Sequence, residues 1–509
     1  MQPVRLLRNC VEFVSGLASV GSMGGNETSV VILGAGPAGL TAAYELSSQG
    51  IPCVVLERDA VVGGLSRTVD YKGFRFDIGG HRFYTKVSLV EEIWREILSA
   101  DLLACSRLSR IYYKSKFFRY PLEPLDAFRQ LGWIETLRCG LSFALRRAFP
   151  QLPEEDFETW VTNRFGRRLF ETFFKSYTEK VWGMDCREIG ADWAAQRIQG
   201  LSLWSLVRDG LIPGARNEIK TLIKKFQYPR LGPGMLWSRM REIVEQRGVK
   251  IVMNAPVERV CWDSGRVTAV EAGAERWEAS HFISSVAIRD LVEKFSPVAP
   301  RQLQAATGKL RYRDFVTVAL IVKAADVFPD NWIYLQDPNV TAGRVQNYKN
   351  WSAEMTPGPE MTCLGVEYFC NESDAFWSRP DAELIELAKR EMAQLGLVRV
   401  EQVVDAAVVR MAKAYPVYDR EYQSVLGVVR EFLDGVPNLQ LIGRNGMHRY
   451  NNQDHSMLTG ILAARNVAGA HFDLWNLNLD KDYLEQGPIV TDEEVAAMEQ
   501  SQPLVPRPI

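Results

Sequence analysis

The 509-residue chain has only five histidines, and no H-x-x-x-H pair among them. Its eight cysteines are scattered, with no C-x-x-C. A metal centre or a redox dithiol is therefore disfavoured, and the thiols read as reduced and buried, in a cytoplasmic setting. No apolar run approaches the roughly 18 residues of a membrane span. Excess charge of one sign is missing too. Lys+Arg at 60 against Asp+Glu at 62 leaves a net −2, which excludes a protein that coats nucleic acid. There is no internal repeat and no low-complexity block. Residues 1–27 read as an extension, or as an early start with Met23 as the first residue, rather than a targeting peptide. The tail, 476–509, is acidic and then proline-rich.

What is present suits a large globular protein. Hydrophobic residues make up 47% and charged residues 24%. At roughly 150 residues per domain, the length suggests about three units. Residues 29–33 form a continuous β-branched run, the mark of a buried parallel strand. A glycine loop, a helical pattern and a second strand at 53–56 complete a βαβ unit. Residues 128–223 are mostly helical. Strand-like segments return at 249–253, 265–290, 316–322, 363–369 and 438–442, and a last helix is expected from about 457 to 470.

Gly34, Ala35, Gly36, Pro37, Ala38 and Gly39 fit G-x-G-x-x-G between strand and helix. The first glycine makes the turn, the second admits a pyrophosphate to the backbone, and the third lets helix meet strand. The helix start supplies N–H donors and a positive dipole end. Glu57 ends the next strand, where a carboxylate can accept from ribose hydroxyls. Arg58, Gly63, Gly64, Leu65 and Arg67 follow, offering a second close backbone approach. Asp77, Ile78, Gly79, Gly80 and His81 form a third glycine-containing loop, able to lie against a ring system. No second G-x-G-x-x-G marks a separate NAD(P)H domain.

The run from Glu57 through Arg67 and Thr68 resembles the extended FAD signature of amine-oxidase and protoporphyrinogen-oxidase type flavoproteins. That resemblance implies FAD, with Arg67 at its pyrophosphate and His81 at the flavin. Further on, the chain resembles the UDP-galactopyranose mutases. Phe173, Phe174, Lys175, Tyr177, Thr178, Lys180, Trp182 and Gly183 follow their F-F-K-x-Y-T-x-K-x-W-G helix. Gly443, Arg444, Gly446, Arg449, Tyr450 and Asp454 follow G-R-x-G-x-x-R-Y-x-x-x-D. Arg344, Glu367-Tyr368 and Tyr415-Pro416 match shorter segments. Departures include Gly80 and Tyr84 in the G-P-H-x-F-H segment, and a segment Val345–Asn350 after Arg344 that lacks the expected Glu and His.

The resemblance implies an α/β fold: a discontinuous Rossmann-like FAD-binding domain (28–95, 228–300 and 437–475), a helical substrate insert (118–225) and a second, mixed or antiparallel sheet domain (96–117 and 305–436). It implies an FAD-dependent, net non-redox mutase that interconverts pyranose and furanose forms of a nucleotide sugar. Reduced flavin N5 would be the nucleophile at the anomeric carbon, and an external reductant would keep the flavin active. His81, Arg344, Arg197 and Tyr450 are the catalytic candidates, with the arginines neutralising the departing diphosphate. Tyr177, Trp182 and Tyr415 would line the substrate pocket with Arg344 and Tyr450. Gly34, Gly36, Pro37, Ala38, Gly39, Glu57, Arg58, Gly64, Leu65, Arg67, Gly80, His81, Val257, Gly443, Arg444, Asp454 and Met457 would hold the cofactor. No metal is implied. For each polar candidate the alternative is structural: a turn histidine, ion-paired arginines, core aromatics. The alternative function is an FAD-dependent oxidoreductase of the amine-oxidase or protoporphyrinogen-oxidase type. Residues 201–217, with Gly210, Pro213 and Gly214, suggest a lid.

Overall fold

The structure is a computed structural model that describes residues 29–120, 122, 124–191 and 225–477. Arg197 and the expected lid at 201–217 lie outside the described residues. In chain order the elements that build the site are β1 (Val30–Leu33), α1 (Pro37–Ser48), β2 (Cys53–Leu56), β3 (Ser109–Tyr113), β4 (Lys116–Arg119), α2 (Trp133–Ala148), α3 (Phe157–Phe165), α4 (Arg167–Phe170), α5 (Ser176–Trp182), β5 (Lys250–Val252), β6 (His281–Ser284), β7 (Tyr312–Val322), β8 (Trp332–Leu335), β9 (Arg344–Asn347), β10 (Thr362–Cys370), β11 (Val403–Pro416), β12 (Leu439–Leu441) and α6 (Gln453–Val467).

The first sheet is five-stranded and parallel, in the order β12-β6-β1-β2-β5. Its strands come from the start, middle and end of the chain, as the scattered apolar runs imply. β1 lies at the centre with every residue buried, which is why it carries an unbroken β-branched run rather than an alternating one. Helices α1 and α6 pack together over one face, with Leu40, Met457 and Ile461 in one buried cluster. The strand order reverses at β1, so the crevice at the carboxyl ends of β1 and β6 is the place where such sheets bind ligands.

The second sheet has seven strands, in the order β11-β7-β10-β9-β8-β3-β4. All neighbours are antiparallel except β8 and β3. β7 is its buried spine; from Arg313 to Val322 every residue is buried. β11 pairs with β7 almost end to end. Helices α3 to α5 share a core of their own around Phe157, Trp160, Phe170 and Trp182. Among the described residues no helix is long and apolar enough to cross a membrane.

Candidate functional site

α1 begins at Pro37, and no side chain caps it: the residue before it is Gly36. Its first amides are therefore left for a ligand. Gly39 is required by close approach, because a Cβ there would stand 1.9 Å from the Gly34 carbonyl oxygen. Gly36 faces Gly64, whose Cα is 3.8 Å from where a Gly36 Cβ would be. The Gly63 amide donates to the Ala35 carbonyl at 2.9 Å and ties the two loops together. Bare backbone thus lines a cradle that side chains would fill.

Glu57 is buried beside it. One carboxylate oxygen accepts from the Ala35 amide at 2.6 Å and the other from the Asp59 amide at 2.9 Å. Each oxygen keeps a second lone pair, as a ribose acceptor needs. Arg67 is held by Asp59 at 2.6 Å, whereas Arg58 points outward, 62% exposed. Val257 packs with Leu33 and Leu56 below the strand ends. Pro37 and Ala38 open α1, with Ala38 buried. Leu65 packs on Ile78 and Phe315. Gly443 leads out of β12, and its amide donates to the Thr459 hydroxyl of α6 at 3.0 Å. Asp454 and Met457 are both buried on α6. Asp454 Oδ2 has no hydrogen-bond partner, and burial raises its pKa to about 7. Met457 sulfur accepts from the Trp94 indole at 3.1 Å. The donor set, the bare cradle and the terminal carboxylate fit a dinucleotide that carries FAD's diphosphate and ribose.

A second constellation stands on the other sheet. In the β9–β10 register Arg344 lies opposite Glu367. Arg344 Nε donates to Glu367 at 2.7 Å, and one of its terminal nitrogens sits 2.6 Å from the same oxygen. Gln346 donates to the other oxygen. Glu367 is fully buried. Burial opposes the charge on Arg344, but Glu367 outweighs it and holds the guanidinium protonated, well above the ordinary arginine range. Around the pair are Tyr177 from α5, Tyr334 from β8 and Tyr415 from β11. Tyr177 meets Tyr334 edge-on at 5.5 Å. Tyr415 stacks with Tyr450 at 5.5 Å and 20°, and Arg444 lies over the Tyr450 ring at 4.7 Å. Burial, then the neighbouring Tyr450, keeps the Tyr415 phenol protonated.

The Gly79–Gly80 loop joins the two constellations. A Cβ on Gly79 would sit 3.9 Å from Arg344 Nη2, and one on Gly80 would sit 3.2 Å from Gln346 Oε1. His81 Nε2 donates to the Ile78 carbonyl at 2.7 Å, and the Leu65 backbone also borders the ring. Burial lowers the His81 pKa to about 4, helped by the charges of Arg444 and Arg344. His81 is thus a neutral brace between two glycine loops.

The structure therefore gathers His81, Arg344, Tyr177, Tyr415, Arg444 and Tyr450 from five separate segments. It does not gather all the candidates. Trp182 is buried in the helical core and meets the edge of Tyr415 at 6.5 Å. Arg444 spends Nε and Nη1 on the carbonyls of Asn451 and Ala414, so it clamps the tyrosine pair. Sequence reasoning missed Glu367 as the partner of Arg344, and also Gln346, Tyr334 and Asp59. Glu367 ends a strand-like run, but its pairing with Arg344 depends on a register between strands that one sequence does not reveal.

The flavin-containing amine oxidoreductase model matches residues 37–468. The chain belongs to that family. It is an FAD enzyme of the flavin amine oxidase superfamily. Among curated relatives it is 23% identical over 311 residues to the zeta-carotene-forming phytoene desaturase of Myxococcus xanthus, covering 56% of this chain and 58% of that one. It is 27% identical over 175 residues to a Klebsiella pneumoniae protein named "Probable UDP-galactopyranose mutase", covering 33% and 44% respectively. This family member thus spans about half the length of these relatives. Among solved structures, that of reduced UDP-galactopyranose mutase superimposes with a TM-score of 0.78 at 21% identity, covering 89% of this chain and 98% of that one. The mixed α/β architecture, with its Rossmann-like sheet, helical insert and second sheet, is the fold of that enzyme.

Proposed function

We propose that this flavoenzyme is a net non-redox mutase that interconverts the pyranose and furanose forms of a nucleotide sugar. One observation carries the reading: a guanidinium, Arg344, lies largely buried against Glu367 and is ringed by tyrosines, beside the Gly79–Gly80 loop. Each buried ion costs several kcal/mol to desolvate. Such a site suits a substrate with a compact anion at its reacting end. A hydrocarbon or a small amine gives the guanidinium nothing to hold.

When bound and reduced, the flavin supplies a nucleophilic nitrogen to the anomeric carbon. The chain's residues do the rest. Arg344 takes up the charge that grows on the departing diphosphate, and Glu367 fixes the plane of its fork. Tyr415 and Tyr450 donate from one stacked pair to phosphate oxygens. Tyr177 and Tyr334 offer flat faces and exclude water. Neutral His81 takes no proton during the cycle; it braces the loop on which the ring would rest. Arg197 is a further candidate phosphate ligand. Reduced flavin is the active form, so an external reductant is required.

The second reading, an FAD-dependent oxidoreductase, is favoured by the identity to the phytoene desaturase. Incubating the dithionite-reduced enzyme with a panel of nucleotide sugars separates the two. The mutase reading expects ring-size isomers at constant flavin reduction. Bleaching of oxidised flavin by an amine or polyene, with no isomers, would establish the other.

A further inference from the structure

Of the 15 large hydrophobic residues that are exposed among the described residues, 8 fall within residues 128–152. Five of them ride on α2. Trp133, Leu137, Leu141 and Leu145 recur every four residues, with Ile134 alongside, each more than half exposed. Phe149, 75% exposed, shares a hollow with Leu141 and Leu145 and prolongs the ridge. A helix with an apolar stripe normally turns it inward. Here the opposite side is latched. Gly166 at the α3–α4 junction approaches so closely that a Cβ there would be 2.6 Å from the Phe143 amide. Arg168 of α4 donates its amide to Ser142 at 3.1 Å and its guanidinium to Glu135. Cys139, between them, is buried. Glu135, Cys139, Ser142 and Phe143 therefore fix the apolar stripe outward.

The charge around the stripe is mostly positive, although Glu135 pairs with Arg138 and Arg168 and Glu171 pairs with Arg167. Residues 128–152 contain Arg129, Arg138, Arg146 and Arg147 against the single acid Glu135, in a chain whose net charge is −2. At 100° per residue, Arg138 and Arg147 flank the stripe on opposite sides. Leu141, Leu145 and Phe149 form the apolar part of an open hollow of about 480 Å³, rimmed by Arg138, Arg146 and Arg167. Apolar walls under three guanidinium groups match an acyl chain beneath an anionic headgroup. A second copy of the chain fits less well. A two-fold contact would set arginine against arginine. The Trp133–Leu145 stripe, about 18 Å long and about 10 Å wide, is also under about a quarter of the ~800 Å² per partner that a stable dimer buries.

We propose that α2 is an in-plane docking helix that seats the enzyme on an anionic phospholipid bilayer, with the Trp133–Leu145 stripe in the acyl boundary and the flanking arginines at the phosphates. The experiment is sedimentation of the FAD-loaded full chain with phosphatidylcholine vesicles, with and without phosphatidylglycerol. Light scattering is run in parallel. The expected result is binding to the phosphatidylglycerol vesicles that weakens with salt and is about tenfold or more weaker on phosphatidylcholine alone. Leu141→Glu/Leu145→Glu should lose about tenfold or more, and Arg138→Glu/Arg146→Glu/Arg147→Glu a similar factor, with flavin absorbance intact in both. No pelleting with phosphatidylglycerol vesicles, or pelleting that neither variant alters, would overturn the proposal. So would a solution dimer that Leu141→Glu/Leu145→Glu converts to monomer, because the stripe would then be a subunit interface.

Discussion

Arg344 carries its charge with a side chain only 16% exposed, and Glu367 supplies the compensation in direct contact with it. Replacing the fork by a point charge keeps the ion pair but loses the two-pronged grip on phosphate. Arg344→Lys should therefore lower kcat by about 10²–10³-fold, the cost of one group that stabilises developing charge, while flavin absorbance is unchanged. Glu367→Gln should act mainly on the fold. Leaving a buried guanidinium unpaired costs about 3–5 kcal/mol, which urea unfolding would reveal. His448 tests burial without catalysis. Its ring is fully buried, and burial lowers its pKa from the ordinary 6.5 to about 4. Between those values the unfolded chain binds a proton that the folded chain refuses, so the stability that His448 gives above pH 6.5 drains away as the pH falls toward 4. His448→Gln keeps a donor toward the Val417 carbonyl, which lies 3.3 Å from Nε2, but has no such titration. The Tm of the variant relative to the native protein should rise as the pH drops through that window. A difference independent of pH would contradict this account of His448.

At the scale of elements, the glycine loop before α1 decides whether cofactor binds at all. Gly39→Ala would drive a methyl group into the Gly34 carbonyl, so the purified variant should carry no flavin absorbance. This unit was the most legible part of the sequence. Its signals are local: a β-branched run for β1, glycines where backbone must meet backbone, and an acid at the end of β2. The segments expected at 249–253, 316–322, 363–369 and 438–442 also became strands, at Lys250–Val252, Tyr312–Val322, Thr362–Cys370 and Leu439–Leu441. The last helix starts at Gln453, four residues earlier than Met457, where its apolar pattern begins. Its first turn is polar but buried, so hydrophobic periodicity alone misplaced its start. β11 was not legible. Its Asp405, Arg410 and Lys413 break the apolar pattern, and it is a strand because β7 offers a long edge to pair with. The Arg344–Glu367 pair was illegible for the same reason: the strand register that creates it is tertiary.

The whole molecule places its cofactor cradle on one sheet and its cation on another, with the Gly79–Gly80 loop and His81 between them. Ligand that bridges two sheets should stabilise the folded chain by mass action. FAD at 100 times its Kd should add about 2.7 kcal/mol over the apoprotein, seen as a Tm that climbs with FAD concentration. The central claim is that a reduced flavin and a buried guanidinium together rearrange a glycosyl diphosphate without net redox change. The most direct test is chromatography of nucleotide sugars after incubation with dithionite-reduced enzyme, with flavin absorbance followed throughout. The account predicts a furanose isomer from at least one pyranose substrate, formed by the reduced enzyme only, with the flavin still reduced at the end. Absence of any isomer across the panel, or isomer formed equally by oxidised enzyme, would contradict it.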